Sequence, residues 1–162
     1  MEQYQLVYDA LNKMNIPYDV VEHPPVFTTE EADSYIVGKE GVRTKTLLLC
    51  NKKKTAYYLV IMDDAKRLDM EKLAEMVGEK RLSFCSPERL MEKMGLIPGI
   101  VSIFGLLNNT DHDLKVYLDN EMLSEKYISF SPNDSTKTIF ISIEDMYKFL
   151  LVLGYEYTIL EL

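Results

Sequence analysis

The sequence predicts an α+β fold: a single domain over residues 1–162, in which a mixed, partly closed β-sheet is surrounded by helices. Three observations lead there. Apolar residues recur at helical spacing in some segments and at strand spacing in others. The elements run helix, strand, helix, two strands, then helix, strand, helix and a run of strands, an order that does not alternate as a doubly wound sheet requires. The chain of 162 residues is long enough to bury one core without staples.

The elements follow in order. Leu6, Val7, Ala10, Leu11 and Met14 sit at helical spacing, predicting an amphipathic helix over Glu2 to Met14 that Pro17 closes. Tyr18 to Glu22 reads as a short strand. His23-Pro24-Pro25-Val26-Phe27 cannot be regular, because proline fixes φ and lacks a donor. Thr28-x-x-Glu31 has the form of a capping box and opens a helix to about Ile36. A hairpin comes next: strand Thr44 to Cys50, turn Asn51 to Lys54, strand Ala56 to Met62. Asp69 caps a helix that Gly78 stops. Leu82 to Phe84 is a short strand. Ser86-Pro87 opens a helix to Met94, ahead of Gly95. Four strands are then expected, at Val101 to Phe104, Leu114 to Leu118, Tyr127 to Phe130 and Thr138 to Ile143. A helix from Glu144 to Leu153, between Ser142 and Gly154, and a strand Tyr155 to Leu160 complete the chain.

Hydrophobic residues make up 47% and charged residues 27%, the proportions of a soluble globular protein. No apolar run approaches the roughly 20 residues of a membrane span, and the start, MEQYQLVYDALNKM, lacks the pattern of a secretory signal, so a cytoplasmic location without membrane contact is expected. Cys50 and Cys85 show no pairing pattern, which suits a reducing compartment. The net charge is −8 but unevenly spread. Residues 1–38 hold one basic and seven acidic side chains, residues 39–93 thirteen and nine, and residues 94–162 four and ten. The middle third is thus locally basic, compatible with a small positive patch meeting one end of an RNA and equally with a solvated charged face.

The familiar catalytic kits are missing. His23 and His112 offer no metal-binding spacing, and there is no nucleophile elbow, P-loop or dinucleotide fingerprint, so neither metal nor cofactor is expected. Cys85, just ahead of a helix start, is a candidate nucleophile or a small core residue. His112, between Asp111 and Asp113, is a candidate base or a turn residue. Three loop features remain: the stiff Pro24-Pro25 wall, the Gly95-Leu96-Ile97-Pro98-Gly99 bend, where glycine lets a ligand approach the backbone, and Lys45 at the mouth of an apolar strand.

Taken together, several segments resemble the YbaK-like prolyl-tRNA editing domains, and within them the free-standing Ala-tRNA(Pro) deacylases of the ProXp-ala or PrdX-like kind. These segments are His23-Pro24-Pro25-Val26-Phe27-Thr28 with Glu30-Glu31-Ala32, Thr44-Lys45, Arg81-Leu82-Ser83-Phe84, and Glu88-Arg89-Leu90-Met91. To them add Leu96-x-Pro98-Gly99-x-Val101-Ser102-x-Phe104-Gly105-Leu106-x-Asn108 and Val116-x-Leu118-Asp119. They occur in family order and cover about residues 20 to 150. The resemblance implies a mixed, partly closed sheet with helices around it, and hydrolysis of the ester joining a wrong amino acid to the terminal adenosine of tRNA(Pro). The implied partners are the tRNA(Pro) acceptor end and prolyl-tRNA synthetase, with the protein a monomer or homodimer.

By the same resemblance, Lys45 is the essential lysine, anchoring the phosphate or ribose of the terminal nucleotide. The bend from Gly95 to Gly99, with Pro98, supplies backbone donors to the oxyanion, and the substrate's own 2′-OH assists. Pro24, with Phe27, Thr28, Ile36 and Val37, sizes the amino-acid pocket, although Phe27, Ile36 and Val37 are equally good core residues. Two positions depart from the family pattern: Thr46 stands where many members have asparagine, and Ser131 where many have histidine. Hydroxyls at both can still hydrogen-bond. Cys-tRNA(Pro) hydrolysis and a non-catalytic tRNA- or synthetase-binding module stand as the alternatives.

Overall fold

The computed structural model describes residues 1–162. Helix α1, Gln3–Lys13, is followed by β1, Asp19–Glu22, and the short α2, Thr29–Ser34. The hairpin strands are β2, Val42–Asn51, and β3, Tyr57–Asp63. Next come α3, Met70–Val77, β4, Leu82–Phe84, and α4, Pro87–Met94; then β5, Leu114–Asp119, β6, Tyr127–Phe130, β7, Lys137–Ser142, α5, Ile143–Leu153, and β8, Tyr157–Leu160. Local chemistry sets most ends. Thr28, Asp69, Ser86 and Ser142 each accept a backbone N–H of the first turn of their helix, and α3, α4 and α5 end on left-handed Gly78, Gly95 and Gly154.

One expected strand is absent. Ile103–Asn108 winds into a 3-10 helix in place of the strand expected over Val101 to Phe104. The reason is local: the Ser102 hydroxyl accepts the Phe104 N–H at 3.2 Å and the Ser102 carbonyl accepts that of Gly105, so the chain turns where apolar residues alone suggested extension. A second 3-10 turn, Asn120–Ser124, follows β5.

The sheet is mixed, as expected, with eight strands in the order β1-β7-β6-β2-β3-β5-β8 and β4 added beside β2. Its outermost strands do not pair with each other, so it is not closed into a barrel. Strands β2 and β3 are covered on both faces. Leu48, Cys50, Leu59 and Ile61 join a cluster of 28 buried residues with α1, α4 and α5, while Leu49, Tyr58, Val60 and Met62 pack with Leu73 and Ala74 of α3. Continuous apolar runs such as Leu47-Leu48-Leu49-Cys50 are what two-sided burial demands.

The pairing of β2 creates the site. Along one edge it pairs with β3 without interruption, from Thr44 opposite Asp63 to Cys50 opposite Tyr57. Along the other edge it pairs only at its ends: Val42 and Arg43 run parallel to β6, and Leu49, Cys50 and Asn51 run antiparallel to β4. The partners diverge, and the middle of β2 is left open between them. The Asp64 N–H to Arg43 carbonyl and Asn51 N–H to Ala56 carbonyl bonds aim the odd-numbered backbone groups at β3. The Cys85 N–H bond to the Leu48 carbonyl aims the even-numbered ones at the other edge. Thr46 therefore turns its peptide groups into the opening.

Candidate functional site

A cavity of about 470 Å³ fills this fork. Its floor is Thr44 to Leu48 of β2, and its walls come from the 26–29 loop and α2, the 98–101 bend, and the loop between β6 and β7. The volume is that of a small-ligand site, lined mainly by apolar groups with a few polar ones among them.

The two loops singled out in the sequence meet here. Gly99 adopts φ +95°, a left-handed conformation, and its backbone lies so close to the Phe27 carbonyl that any Cβ would collide with that oxygen. The Gly99 and Val101 N–H groups make no hydrogen bond within the chain. The 23–28 loop is in turn fastened to the β6–β7 loop, the His23 N–H donating to the Thr136 carbonyl and the Val26 N–H to that of Ser135, both at 2.9 Å. The His23 ring stacks on Tyr35 and meets the Thr138 hydroxyl at 3.0 Å, so this histidine braces the wall.

Of the residues expected at the site, Lys45, Phe27, Thr28, Ile36, Thr46, Pro98, Gly99 and Ser131 line the cavity. Lys45 is half-buried, makes no ion pair and gives one N–H to the Lys66 carbonyl. An ammonium has three donors, so this contact orients it without using it up. Thr46 is buried in the lining, 7% exposed. Ile36 is buried at the wall and Phe27 is half-exposed at the rim. The Ser131 hydroxyl is turned back on its own loop, donating to the Asp134 carbonyl at 2.9 Å and accepting the Asp134 N–H at 3.2 Å.

Three expected residues lie outside the lining. Gly95 is the left-handed cap of α4 and its N–H is spent on the Met91 carbonyl, so it cannot serve as an oxyanion donor. Pro24 is exposed beyond the rim, and Val37 is 84% exposed past the end of α2. The two open alternatives also resolve. Burial, reinforced by Cys50, raises the Cys85 thiol pKa, which leaves a poor nucleophile. His112 stacks on Tyr155 at 3.9 Å and reaches the Gly154 carbonyl with Nε2, a structural position away from the cavity.

Sequence reasoning missed Asp33, Ser129 and Lys137, all in the lining, where Asp134 joins them. Burial alone would raise the Asp134 pKa, but the hydroxyl and N–H of Thr136, with Lys137 and His23 nearby, bring it below the usual range. Asp33, on α2, forms no ion pair. Beside it stands Asp64, whose buried Oδ2 finds no hydrogen-bond partner; burial first, and the Asp33 carboxyl second, hold the Asp64 pKa well above the carboxylate range. Only the fold could bring Asp33 and Asp64 together, because 31 residues separate them.

The comparisons with known proteins converge on one family. Residues 23–149 match the family model of the aminoacyl-tRNA editing domain. The chain is 32% identical over 162 residues to the prolyl-tRNA editing protein ProX of Acetoanaerobium sticklandii, covering 100% of this chain and 99% of that one. It is 32% identical to the prolyl-tRNA synthetase associated domain-containing protein 1 of Bos taurus, over 93% of this chain and 90% of the other. Among solved structures, the fold superposes on a putative trans-editing enzyme for prolyl tRNA synthetase with a TM-score of 0.75 at 22% identity, covering 100% and 98% of the two chains. The chain belongs to the aminoacyl-tRNA editing domain family.

Proposed function

We propose that the protein is a trans-editing aminoacyl-tRNA deacylase that hydrolyses mischarged tRNA(Pro), with Ala-tRNA(Pro) as its main substrate. The observation that carries this reading is the open middle of β2, which sets an unpaired ammonium, Lys45, beside an apolar cavity sized for a small ligand. An aminoacyl ester is already activated, so positioning and oxyanion stabilisation suffice without a protein nucleophile.

In this reading Lys45 binds the phosphate or ribose of the terminal nucleotide, and the Gly99 N–H, on the bend that Pro98 stiffens, faces the carbonyl oxygen. A water molecule adds to the carbonyl carbon, the bond to the ribose oxygen breaks, and that oxygen takes up a proton, with the neighbouring 2′-OH assisting. Phe27, Thr28 and Ile36 bound the amino-acid side chain. Proline exceeds alanine by two ring carbons, and a rigid wall rejects the larger group by clash more strongly than an apolar pocket can favour the smaller, since one methylene is worth only about 1–3 kcal/mol. Thr46 lies in the cavity lining with its hydroxyl on offer, whereas that of Ser131 is taken up by its own loop. Relatives named for prolyl-tRNA synthetase support that enzyme as a partner, with editing taking place in the cytoplasm.

Hydrolysis measured on Ala-, Cys- and Ser-charged tRNA(Pro) tests the proposal. Release from Ala-tRNA(Pro) well above the uncatalysed rate is expected, and no release from any of the three overturns it. A second reading, a binding module without turnover, draws on the Ser131 hydroxyl being engaged by its own loop; binding of charged tRNA without hydrolysis would favour it. Preference for the Cys-charged substrate would reassign specificity within the same chemistry.

A further inference from the structure

Besides Lys137 and Asp134, which lie near each other, the cavity lining holds one cation and one anion that form no ion pair. Lys45 contacts only a carbonyl, and Asp33, half-buried on α2, has no cationic partner. Opposite charges left apart in a partly desolvated site are costly unless a ligand completes both. Asp134, the other carboxylate in the lining, is already compensated: its Oδ1 accepts the Thr136 N–H and hydroxyl, and Lys137 and His23 lie nearby. Glu31 is exposed and turned toward the Thr28 hydroxyl. Asp33 is thus the carboxylate with charge to spare.

Resting on the deacylase reading above, the ligand has charges to match. A 3′-aminoacyl nucleotide carries a negative phosphate at one end and a positive α-ammonium at the other. We infer that Asp33 is a specificity-determining residue that binds the α-ammonium of the aminoacyl ester, while Lys45 anchors its nucleotide.

The surroundings suit the role. Ile36, one turn further along the chain, is buried in the same wall, so an ammonium at Asp33 lays the amino-acid side chain against the apolar part of the cavity. Burial and the neighbouring Asp33 carboxyl raise the Asp64 pKa, so the pair favours a single negative charge. The ester carbonyl is then held between α2 and the Gly99 bend, with both ends of the substrate fixed. The arrangement selects for a free amine: an ester whose amino group is acylated, as in a growing peptide, places a neutral and bulkier amide against Asp33. The same carboxylate would therefore spare peptidyl esters while admitting aminoacyl ones.

The test compares Ala-tRNA(Pro) with N-acetyl-Ala-tRNA(Pro) on wild type and on Asp33→Asn, read as separate kcat and KM values. Wild type should favour the free amine by about 30-fold or more in kcat/KM, the scale on which a desolvated charge pair is lost. Asp33→Asn should lose about that factor on the free amine, mainly through KM, while the acetylated substrate changes by less than about threefold. Equal hydrolysis of both substrates by wild type, or unchanged kinetics of Asp33→Asn on the free amine, overturns the inference and leaves the deacylase reading standing. No hydrolysis of either by wild type fells the deacylase reading and this inference with it. If Asp33→Asn does not fold, Asp33→Glu decides: it keeps the charge and should keep the free-amine preference, and loss of that preference in a folded Asp33→Glu counts against the role.

Discussion

Lys45 and Lys93 are both drawn into the fold, and their surroundings differ in kind. Lys93, on α4, is 6% exposed and surrounded by compensation: Asp113 at 2.5 Å, Asp111 at 3.1 Å and the Tyr57 ring at 4.9 Å. Its hydrogen bond to the Asp113 carboxylate, outweighing burial, raises its pKa and holds it charged. Lys45, on β2, is less buried and has a single carbonyl partner. A buried cation that is part of the scaffold is neutralised by neighbours, whereas a cation meant for a ligand is held in place by a neutral group and left with donors to give. Lys66 links the two cases: its carbonyl orients Lys45, while its own ammonium is tied to Asp119 and Glu121, both at 2.8 Å.

The contrast can be broken at either end. Lys45→Ala has the largest expected effect, a fall in deacylation of at least about 100-fold, the scale of a lost transition-state contact, with Tm moving by less than about 4 °C. Retained activity would make Lys45 a solvated strand residue like any other. Gly99→Ala comes next: the added Cβ meets the Phe27 carbonyl and the left-handed φ disfavours alanine, so the two loops must part. A drop of about 10-fold or more in kcat/KM is expected, the loss that misplaced groups produce, and unchanged kinetics would remove the bend from the catalytic account.

Lys93→Met reverses the pattern. Leaving Asp111 and Asp113 without their cation should cost about 1–3 kcal/mol, lowering Tm by several degrees in thermal unfolding, while the folded fraction keeps its specific activity. Loss of activity without loss of stability would mean the two lysines are not separable.

The smallest effect concerns pH. The Asp64 pKa is raised in the folded protein, so that protein holds a proton which the unfolded chain releases. The stability this group contributes is complete below the ordinary carboxylate range and falls as pH rises toward the raised value. Asp64→Asn cannot titrate, so its Tm relative to wild type should climb by a few degrees between about pH 5 and about pH 8. A constant difference would place Asp64 outside this linkage.

What could be read from the chain alone was mostly local. Ser86-Pro87 with Gly95, and Asp69 with Gly78, mark helix ends because capping is settled within four residues. The hairpin from β2 to β3 and the prominence of Lys45 were visible for the same reason, as was the family, whose motifs are contiguous. The reading failed where a local hydrogen bond intervened: the Ser102 hydroxyl turned an apolar run into a 3-10 helix, and the Met91 carbonyl took the N–H of Gly95 at the end of α4.

Only the tertiary structure decided the fork in the sheet. That β6 takes one end of β2 and β4 the other depends on pairings across many tens of residues, which no local periodicity encodes. The same long-range assembly set Asp33 beside Asp64 and seated Gly99 against Phe27. The sequence by itself determined which groups were on offer and the elements that carry them. Which of those groups face one cavity without neutralising each other was settled by strand pairing, because charge and hydrogen-bond compensation are properties of neighbours in space.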